Sequence, residues 1–228
     1  MILINCNKYI TDIKDITDIK MNNFFDSGKL HILIGPMFSG KTSELINNYN
    51  KYKYCNLNVK VINYIFDNRY TDKQVLYTHD KREVPCILSE RLNDVYDFET
   101  CNGYITNENI NSFNETHIFL INEAQFFKDI VNWVKKAISP PHNKIVYLAG
   151  LDGDFKRDLF GNWLELIPMC DTITKLSSIC SSCKKRDAIF SHRLTNETNQ
   201  ELIGNDIYQP LCRFCYENEM AYIQNYIE

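Results

Sequence analysis

The sequence predicts an α/β fold in which a mainly parallel sheet is flanked by helices and followed by a small metal-stapled lobe. Three observations support this prediction. Strand-like and helix-like patterns alternate from Lys29 onward, a glycine-rich turn joins the first strand to the first helix, and two Cys-x-x-Cys pairs lie near the end of the chain. We expect an N-terminal extension over 1–28, an α/β domain over 29–178, a cysteine-rich lobe over 179–218 and a C-terminal tail over 219–228.

Apolar runs predict four buried strands, over 30–34, 59–65, 117–121 and 144–151. Helical spacing follows Lys41 and also covers 124–138, where Pro140-Pro141 ends the second helix. Ligands in parallel sheets of this kind bind at the carboxyl ends of the strands. Gly35 and Asn122-Glu123 both follow strand ends, so we expect them at one site.

Composition narrows the class of protein. The chain has 228 residues, a formal net charge of −4 and nine cysteines. The acidic balance disfavours a nucleic-acid partner, and no apolar run approaches the roughly 18 residues of a membrane span. We expect a cytoplasmic protein without disulfides. Residues 1–28, in which Thr-Asp-Ile-Lys occurs twice, are expected to be mobile, with targeting or oligomerisation as the alternative role.

The turn after the first strand fits the phosphate-binding loop (P-loop) pattern G-x-x-x-x-G-K-[ST]. Its backbone N–H groups would surround phosphate oxygens, Lys41 would reach the β- and γ-phosphates, and Thr42 would offer its hydroxyl to Mg²⁺. A chance glycine-rich turn is the alternative. The nucleotide-binding candidates here are Gly35, Pro36, Met37, Phe38, Ser39, Gly40, Lys41 and Thr42.

Charged side chains follow two of the other predicted strands. Glu123 follows the strand 117–121, where an acid can order Mg²⁺ or take a proton from an attacking hydroxyl. A helix N-cap is the alternative role for Glu123. Arg69 follows the second strand and could meet phosphate charge that develops during transfer, or form a surface salt bridge. Leu151 to Phe155 supply a glycine turn and an aromatic side chain after a further strand, as core or as a wall for a planar ligand.

The two cysteine pairs have the spacing of a structural zinc site. Four thiolates leave no open coordination position, so the metal would close the base of the 28-residue segment between Cys183 and Cys212. A redox Cys-x-x-Cys needs one pair only and is the alternative for either pair alone. The predicted ligands are Cys180, Cys183, Cys212 and Cys215.

Together these motifs closely resemble the type II thymidine kinases over about 30–216. The motifs that carry the resemblance are the loop 35–42, Asp67-Asn68-Arg69-Tyr70, Thr78-His79-Asp80, Glu123-Ala124-Gln125-Phe126-Phe127, Leu151-Asp152-Gly153-Asp154-Phe155 and the two cysteine pairs. The resemblance implies transfer of the ATP γ-phosphate to the 5′-hydroxyl of thymidine, and of deoxyuridine, to give dTMP and ADP for DNA precursor salvage. It also implies Mg²⁺, structural Zn²⁺, a homotetramer and feedback inhibition by dTTP.

The resemblance assigns roles residue by residue. Glu123 matches the catalytic base, with Arg69 and Lys41 as the other catalytic groups, and Asp67, Asn122 and Gln125 join the loop 35–42 in binding ATP and Mg²⁺. A lasso loop over 184–211, anchored by the zinc site, would grip the base. The implied nucleoside pocket consists of Met37, Leu151, Phe155, Phe160, Ser191, Ile203, Gly204 and Tyr208.

Two departures from the family pattern stand out. Asn122 replaces the carboxylate that most relatives carry before the catalytic glutamate, which predicts a weaker or altered Mg²⁺ requirement. The lasso has one residue more after Cys183 and one fewer around Gly204. The rival hypotheses are a kinase for another deoxynucleoside and a zinc-ribbon ATPase that binds nucleic acid, the latter disfavoured by the net charge.

Overall fold

The computed structural model describes residues 26–67, 74–78, 82–99, 112–204 and 206–227. Several predictions from the sequence lie outside these residues: the role of Arg69, the His79-Asp80 part of one motif, and nearly all of the extension 1–28. No helix among the described residues is long and apolar enough to cross a membrane.

Strands and helices alternate along the first part of the chain, as the sequence predicts. In chain order these elements are β1 (Lys29–Ile34), α1 (Lys41–Tyr54), β2 (Val59–Tyr64), β3 (Val75–Tyr77), β4 (Glu83–Pro85), β5 (Ile87–Ser89), α2 (Leu92–Val95) and β6 (Ile118–Ile121). They continue with a 3₁₀ helix (Ala124–Phe126), α3 (Ile130–Ile138), β7 (Ile145–Gly150), a second 3₁₀ helix (Trp163–Met169), β8 (Thr172–Lys175), β9 (Ser178–Ile179), β10 (Asp187–Ala188), β11 (Phe190–Arg193), β12 (Tyr208–Leu211) and α4 (Arg213–Ile227).

Six of the strands form one parallel sheet in the order β5-β2-β6-β7-β1-β8. Register brings the strand ends together, since Ile34 of β1 lies opposite Gly150 of β7, and Ile121 of β6 lies opposite Leu148. The loops that follow β1, β2, β6 and β7 therefore leave the same edge of the sheet. That edge carries all the sequence-predicted groups of the phosphate site within the described residues.

Helices cover both faces of the sheet, which confirms the predicted α/β class. Successive β1 residues point to opposite sides: Ile32 packs in one apolar cluster and Leu33 in the other. The first cluster includes Trp133 of α3, while the second includes Leu45 of α1. Each large apolar side chain buried in this way stabilises the fold by roughly 1.5–3 kcal/mol.

The helix predicted over 124–138 is interrupted in the structure. A 3₁₀ turn ends at Phe126, Phe127 takes an extended conformation with φ −81° and ψ 105°, and α3 begins only at Ile130. Two tertiary contacts account for the break. Phe127 is buried with its ring edge-on to Tyr64, and the Asp129 carboxylate accepts hydrogen bonds from the first N–H groups of α2.

The cysteine-rich part of the chain contains two small antiparallel sheets. Strand β9 pairs with β10, and β11 pairs with β12, so that Ser191 lies opposite Pro210. The segment predicted as a lasso over 184–211 is thus partly strand, because Ala188 and Leu211 pack with the cysteines in a small core. A loop over 194–207 connects β11 to β12, and we call it the β11–β12 loop.

Candidate active site

The turn after β1 has the backbone geometry that its glycines predict. Gly35 has φ +150°, and a Cβ atom there would lie 2.4 Å from the carbonyl oxygen of Leu176. Gly40 has φ +85° immediately before α1. Side chains rarely fit either conformation. The turn also places the Lys41 ammonium against its own loop, where Nζ donates to the carbonyl oxygens of Gly35 (3.0 Å) and Pro36 (2.7 Å).

A row of polar side chains runs from this turn along the edge of the sheet. Thr42 Oγ1 donates to Asn122 Oδ1 at 3.4 Å, and Asn122 Nδ2 donates to Asn63 Oδ1 at 2.9 Å. Asn63 Nδ2 in turn donates to Asp67 Oδ2 at 3.4 Å. Asn63 and Asn122 are both buried. These oxygen atoms suit a hard cation such as Mg²⁺, and Asp67 supplies the carboxylate that position 122 lacks.

Glu123 has a strained backbone at the end of β6. Its φ of 55° and ψ of 45° are left-handed, a conformation that non-glycine residues seldom adopt outside functional sites. It precedes the first 3₁₀ helix but makes no side-chain capping hydrogen bond, so the N-cap alternative is not supported. Instead, its Oε2 accepts a 2.6 Å hydrogen bond from Gln125 Nε2, and Gln125 Oε1 accepts one from the backbone N–H of Leu151. Gln125 thereby fixes the carboxylate relative to the end of β7.

The cysteine-rich lobe touches the turn directly. Ser191 on β11 is buried, and its Oγ accepts a hydrogen bond of 2.9 Å from the backbone N–H of Met37. Tyr208 on β12 donates from its hydroxyl to the carbonyl oxygen of Leu202 at 2.9 Å. This contact holds the β11–β12 loop against its own second strand.

One cleft connects the two regions. It encloses about 1210 Å³ of space, part of which is open solvent. Each of the eight predicted nucleoside-pocket residues lines it. So do most of the predicted nucleotide-site residues, namely Met37, Phe38, Ser39, Gly40, Lys41, Thr42, Asp67, Asn122, Glu123 and Gln125. One cleft is therefore lined both by the turn 35–42 and by the β11–β12 loop.

The four cysteines of the two pairs converge as a zinc site requires. Their sulfur atoms all lie within 4.8 Å of one another, and Cys183 Sγ is 3.9 Å from Cys212 Sγ. Tetrahedral zinc with Zn–S bonds of about 2.3 Å needs sulfur atoms about 3.8 Å apart, so the donor set fits.

The electrostatics of the cysteine cluster also favour a cation. Burial raises the pKa of Cys180, but hydrogen bonds from the backbone of Cys183, Cys212 and Ser182 outweigh it and lower that pKa to about 6. A hydrogen bond with Ser182 lowers the pKa of Cys215, yet burial and the neighbouring sulfur atoms raise it to about 11. The pKa values of Cys180 and Cys183 are thus lowered and that of Cys215 is raised, and a divalent metal ion would favour the thiolate form of all the cysteines that bind it.

Comparison with known proteins decides the family. A family model described as thymidine kinase matches residues 28–216. The chain is 40% identical over 192 residues to the thymidine kinase of Vaccinia virus (strain Western Reserve), which covers 84% of this chain and 98% of the viral protein. With the same coverage it is 40% identical to the enzyme of Sheeppox virus (strain KS-1) and 39% identical to that of Variola virus (isolate Human/India/Ind3/1967). The chain belongs to the thymidine kinase family. The resemblance to that family found in the sequence is confirmed, and membership places the chain among the kinases.

Several residues that line the cleft of this thymidine kinase family member escaped the sequence analysis. Asn63 interrupts an apolar strand one position before its end, and that interruption was the available signal. The hairpin of β3 and β4 gave no signal, because its strands are only three residues long. The lining residues to which the sequence analysis assigned no role include Asn63, Val75, Leu76, Tyr77, Thr78, Gln200 and Leu202.

Proposed function

We propose that the chain transfers the γ-phosphate of ATP to the 5′-hydroxyl of thymidine, and of deoxyuridine, to give dTMP and ADP for DNA precursor salvage. The observation that carries the proposal is the single cleft that joins the turn 35–42 to the β11–β12 loop, with Glu123 among its lining residues. Family membership supplies the reaction class, and one cleft is lined by the residues predicted for both substrates.

At the ATP end, the backbone N–H groups of the turn 35–42 bind phosphate oxygens near the positive end of α1. Lys41 neutralises phosphate charge and Thr42, Asn122 and Asp67 hold Mg²⁺, directly or through water. When bound, Mg²⁺ screens the charge of the phosphates. Arg69 adds a second cation to the transferring group in this proposal, although it lies outside the described residues.

At the centre of the cleft, Glu123 accepts the proton of the 5′-hydroxyl as that oxygen attacks phosphorus. The hydrogen bond from Gln125 Nε2 to Glu123 Oε2 orients the carboxylate. Phosphoryl transfer needs mainly positioning and charge neutralisation, which these groups provide.

At the nucleoside end, a flat base lies between apolar and aromatic side chains. Phe160 packs edge-on to Phe126 with ring centroids 5.3 Å apart, which gives one rigid wall. Ser191 approaches the base methyl while its Oγ also anchors Met37. The proposed pocket comprises Met37, Leu151, Phe155, Phe160, Ser191, Ile203, Gly204 and Tyr208.

Further parts of the proposal concern the whole molecule. We infer that the P-loop α/β domain (29–178) carries the ATP half and that the zinc lobe (179–218) carries the lasso, here the β11–β12 loop. A homotetramer, inhibition by dTTP, a cytoplasmic location and the absence of nucleic-acid and membrane partners remain part of the same proposal.

The proposal is tested by incubating the protein with ATP, Mg²⁺ and each of the common deoxynucleosides and identifying the monophosphate formed. dTMP is expected as the main product, with dUMP next, and one ADP per monophosphate. A different monophosphate as main product would contradict the assigned substrate. ATP hydrolysis that depends on DNA, without nucleoside phosphorylation, would contradict the reaction.

Replacing Asn122 with aspartate is expected to lower the Mg²⁺ concentration for half-maximal activity. The change adds a negative charge beside Thr42, but it also removes the amide donor to Asn63 Oδ1. The measurement is initial rate against Mg²⁺ at fixed ATP, with Asn162→Asp on the exposed surface as the control. Superimposable curves for Asn122→Asp and the unchanged protein would contradict the prediction.

Removing the zinc is expected to weaken thymidine binding before ATP binding. Cys180, Cys212 and Cys215 are buried in the small core that supports both ends of the β11–β12 loop, so their release frees the loop but leaves the turn 35–42 on β1. Chelation, or Cys212→Ser, should raise the thymidine dissociation constant at least about tenfold, which corresponds to about 1.4 kcal/mol. The two affinities are measured by calorimetry, and unchanged thymidine affinity in zinc-free protein would contradict the anchoring role.

A further inference from the structure

A buried arginine stands behind the nucleoside end of the cleft. Arg193 is the last residue of β11 and only 4% exposed. Its guanidinium uses every N–H that it has. Nε and Nη2 donate to Tyr208 Oη, Nη1 donates to the carbonyl oxygens of Glu197 (2.9 Å) and Asn199, and Nη2 also donates to that of Gln200 (3.0 Å). All of these acceptors are neutral oxygen atoms, so the contacts position the backbone and do not form an ion pair.

The same guanidinium also lies on the aromatic walls of the cleft. Its central carbon is 3.7 Å from the ring centroid of Phe155 and 5.2 Å from that of Tyr208. A planar guanidinium at this distance stacks on the ring face. Phe155 and Tyr208 line the cleft, whereas Arg193 does not, so Arg193 acts on the cleft through these two rings.

A second contact fixes the same part of the loop from the other side. Gln200 Nε2 donates to Asp154 Oδ2 at 2.8 Å and to the carbonyl oxygen of Leu159 at 3.1 Å. Tyr208 Oη, which accepts from Arg193, donates in turn to the carbonyl oxygen of Leu202. Residues 197–202 are therefore tied to β11, to β12 and to the loop after β7. Of these hydrogen bonds, Arg193 makes three to carbonyl oxygens of the loop, Gln200 makes two and Tyr208 makes one.

We propose that Arg193 is a positioning residue that forms the nucleoside half of the cleft before the nucleoside binds. The inference rests on the proposed function, because the cleft must take a nucleoside at this end. An irregular loop that is ordered only on binding costs conformational entropy and weakens affinity. Arg193 removes that cost in advance by holding three carbonyl groups of the loop and the two rings, Phe155 and Tyr208, in one arrangement.

Lysine cannot replace arginine in this role. Its ammonium keeps the charge, but its three donors radiate from one atom, and it has no planar surface to stack on Phe155. The carbonyl oxygens of Glu197, Asn199 and Gln200 need the spread of the guanidinium fork. Lysine would restore the positive charge but not the fork geometry. An Arg193→Lys variant therefore shows whether the charge or the geometry of Arg193 matters.

The test compares Arg193→Lys and Arg193→Gln with a matched control, Arg157→Gln. Arg157 also stacks on two aromatic rings, Phe190 and Tyr216, but it is partly exposed and lies outside the cleft lining. We expect both Arg193 variants to raise the KM for thymidine at least about tenfold, with kcat at saturating thymidine and the KM for ATP within about threefold of the unchanged protein. The control should keep all three constants.

Hydrogen exchange of the backbone amides of 194–204, measured without nucleoside, gives a readout that does not depend on activity. We expect exchange at least about tenfold faster in both Arg193 variants than in the unchanged protein, with slow exchange restored by saturating thymidine. Tyr208→Phe, which removes the shared hydroxyl but keeps the ring, should change exchange in the same direction by less.

Three outcomes would overturn the proposal. A thymidine KM in Arg193→Lys as low as in the unchanged protein would show that only the positive charge of Arg193 matters. A raised KM with unchanged exchange over 194–204 would exclude preorganisation of the loop. An equal rise in the KM for thymidine and the KM for ATP, together with a lower melting temperature and loss of zinc, would show that Arg193 has a purely structural role. Failure of the proposed function is separate, because it requires that the unchanged protein makes no dTMP.

Discussion

Glu123→Gln is expected to lower kcat for thymidine phosphorylation by about 10²–10⁴-fold, the range for loss of a general base. Glutamine has nearly the same shape, and its amide oxygen can still accept the hydrogen bond that Gln125 Nε2 gives to Glu123 at 2.6 Å. The carboxylate charge and its ability to take the hydroxyl proton are lost. ATP affinity should persist, because the turn 35–42 is unchanged. Rapid-quench measurement of a single turnover, with calorimetric titration of ATP, separates the two effects.

The matched control is Glu165→Gln, on the exposed surface of the second 3₁₀ helix, which should leave kcat unchanged. A Glu123→Gln protein that keeps kcat within about threefold of the unchanged protein would remove Glu123 as the base. Loss of ATP affinity in step with kcat would instead indicate a collapse of the site. The left-handed backbone at position 123 makes that control necessary, since strained positions are sensitive to substitution.

Lys41→Met is expected to lower kcat/KM for ATP by about 10²–10³-fold, the effect of removing one group that stabilises developing charge. The Lys41 ammonium is held at 3.0 Å and 2.7 Å from the carbonyl oxygens of Gly35 and Pro36, inside the turn that receives the phosphates in our proposal. Methionine fills similar space without charge. Steady-state kinetics over a range of ATP concentrations measures the loss, and thymidine affinity measured without ATP should be retained.

Lys51→Met, on the exposed side of the same helix α1, is the control for changes in helix stability. It should leave kcat/KM for ATP unchanged. If Lys41→Met behaved like Lys51→Met, the turn 35–42 would not be the phosphate site. If Lys41→Met weakened thymidine binding as strongly as ATP binding, the two ends of the cleft would not be separable as proposed.

Much of the sheet and of the turn 35–42 could be predicted from sequence because local patterns determine them. The strands β6 and β7 are buried along their whole length and therefore appear as continuous apolar runs, and most of β1 does too. The turn could be predicted because Gly35 and Gly40 adopt positive φ, where few other residues fit. The cysteine cluster followed from spacing alone, since each pair presents two thiolates from one turn.

The rest depends on contacts between distant residues. The break between the first 3₁₀ helix and α3 arises because Phe127 is buried and Asp129 binds the N–H groups of α2, neither of which alters the helical spacing of 124–138. Arg193 gave no signal because three of its partners are backbone carbonyl oxygens, which any sequence supplies, and the others, Tyr208 and Phe155, are distant in sequence. The hydrogen bond between Asn63 and Asn122 could not be predicted, because it depends on the pairing of β2 with β6.

The central claim is that one cleft holds ATP and thymidine end to end with Glu123 between them. The most direct test is the inhibition pattern of a single molecule in which adenosine and thymidine are joined through their 5′ positions by a chain of phosphates. The account predicts competitive inhibition against ATP and also against thymidine, because the molecule occupies both ends of the cleft. Competitive inhibition against only one of the two substrates would contradict it.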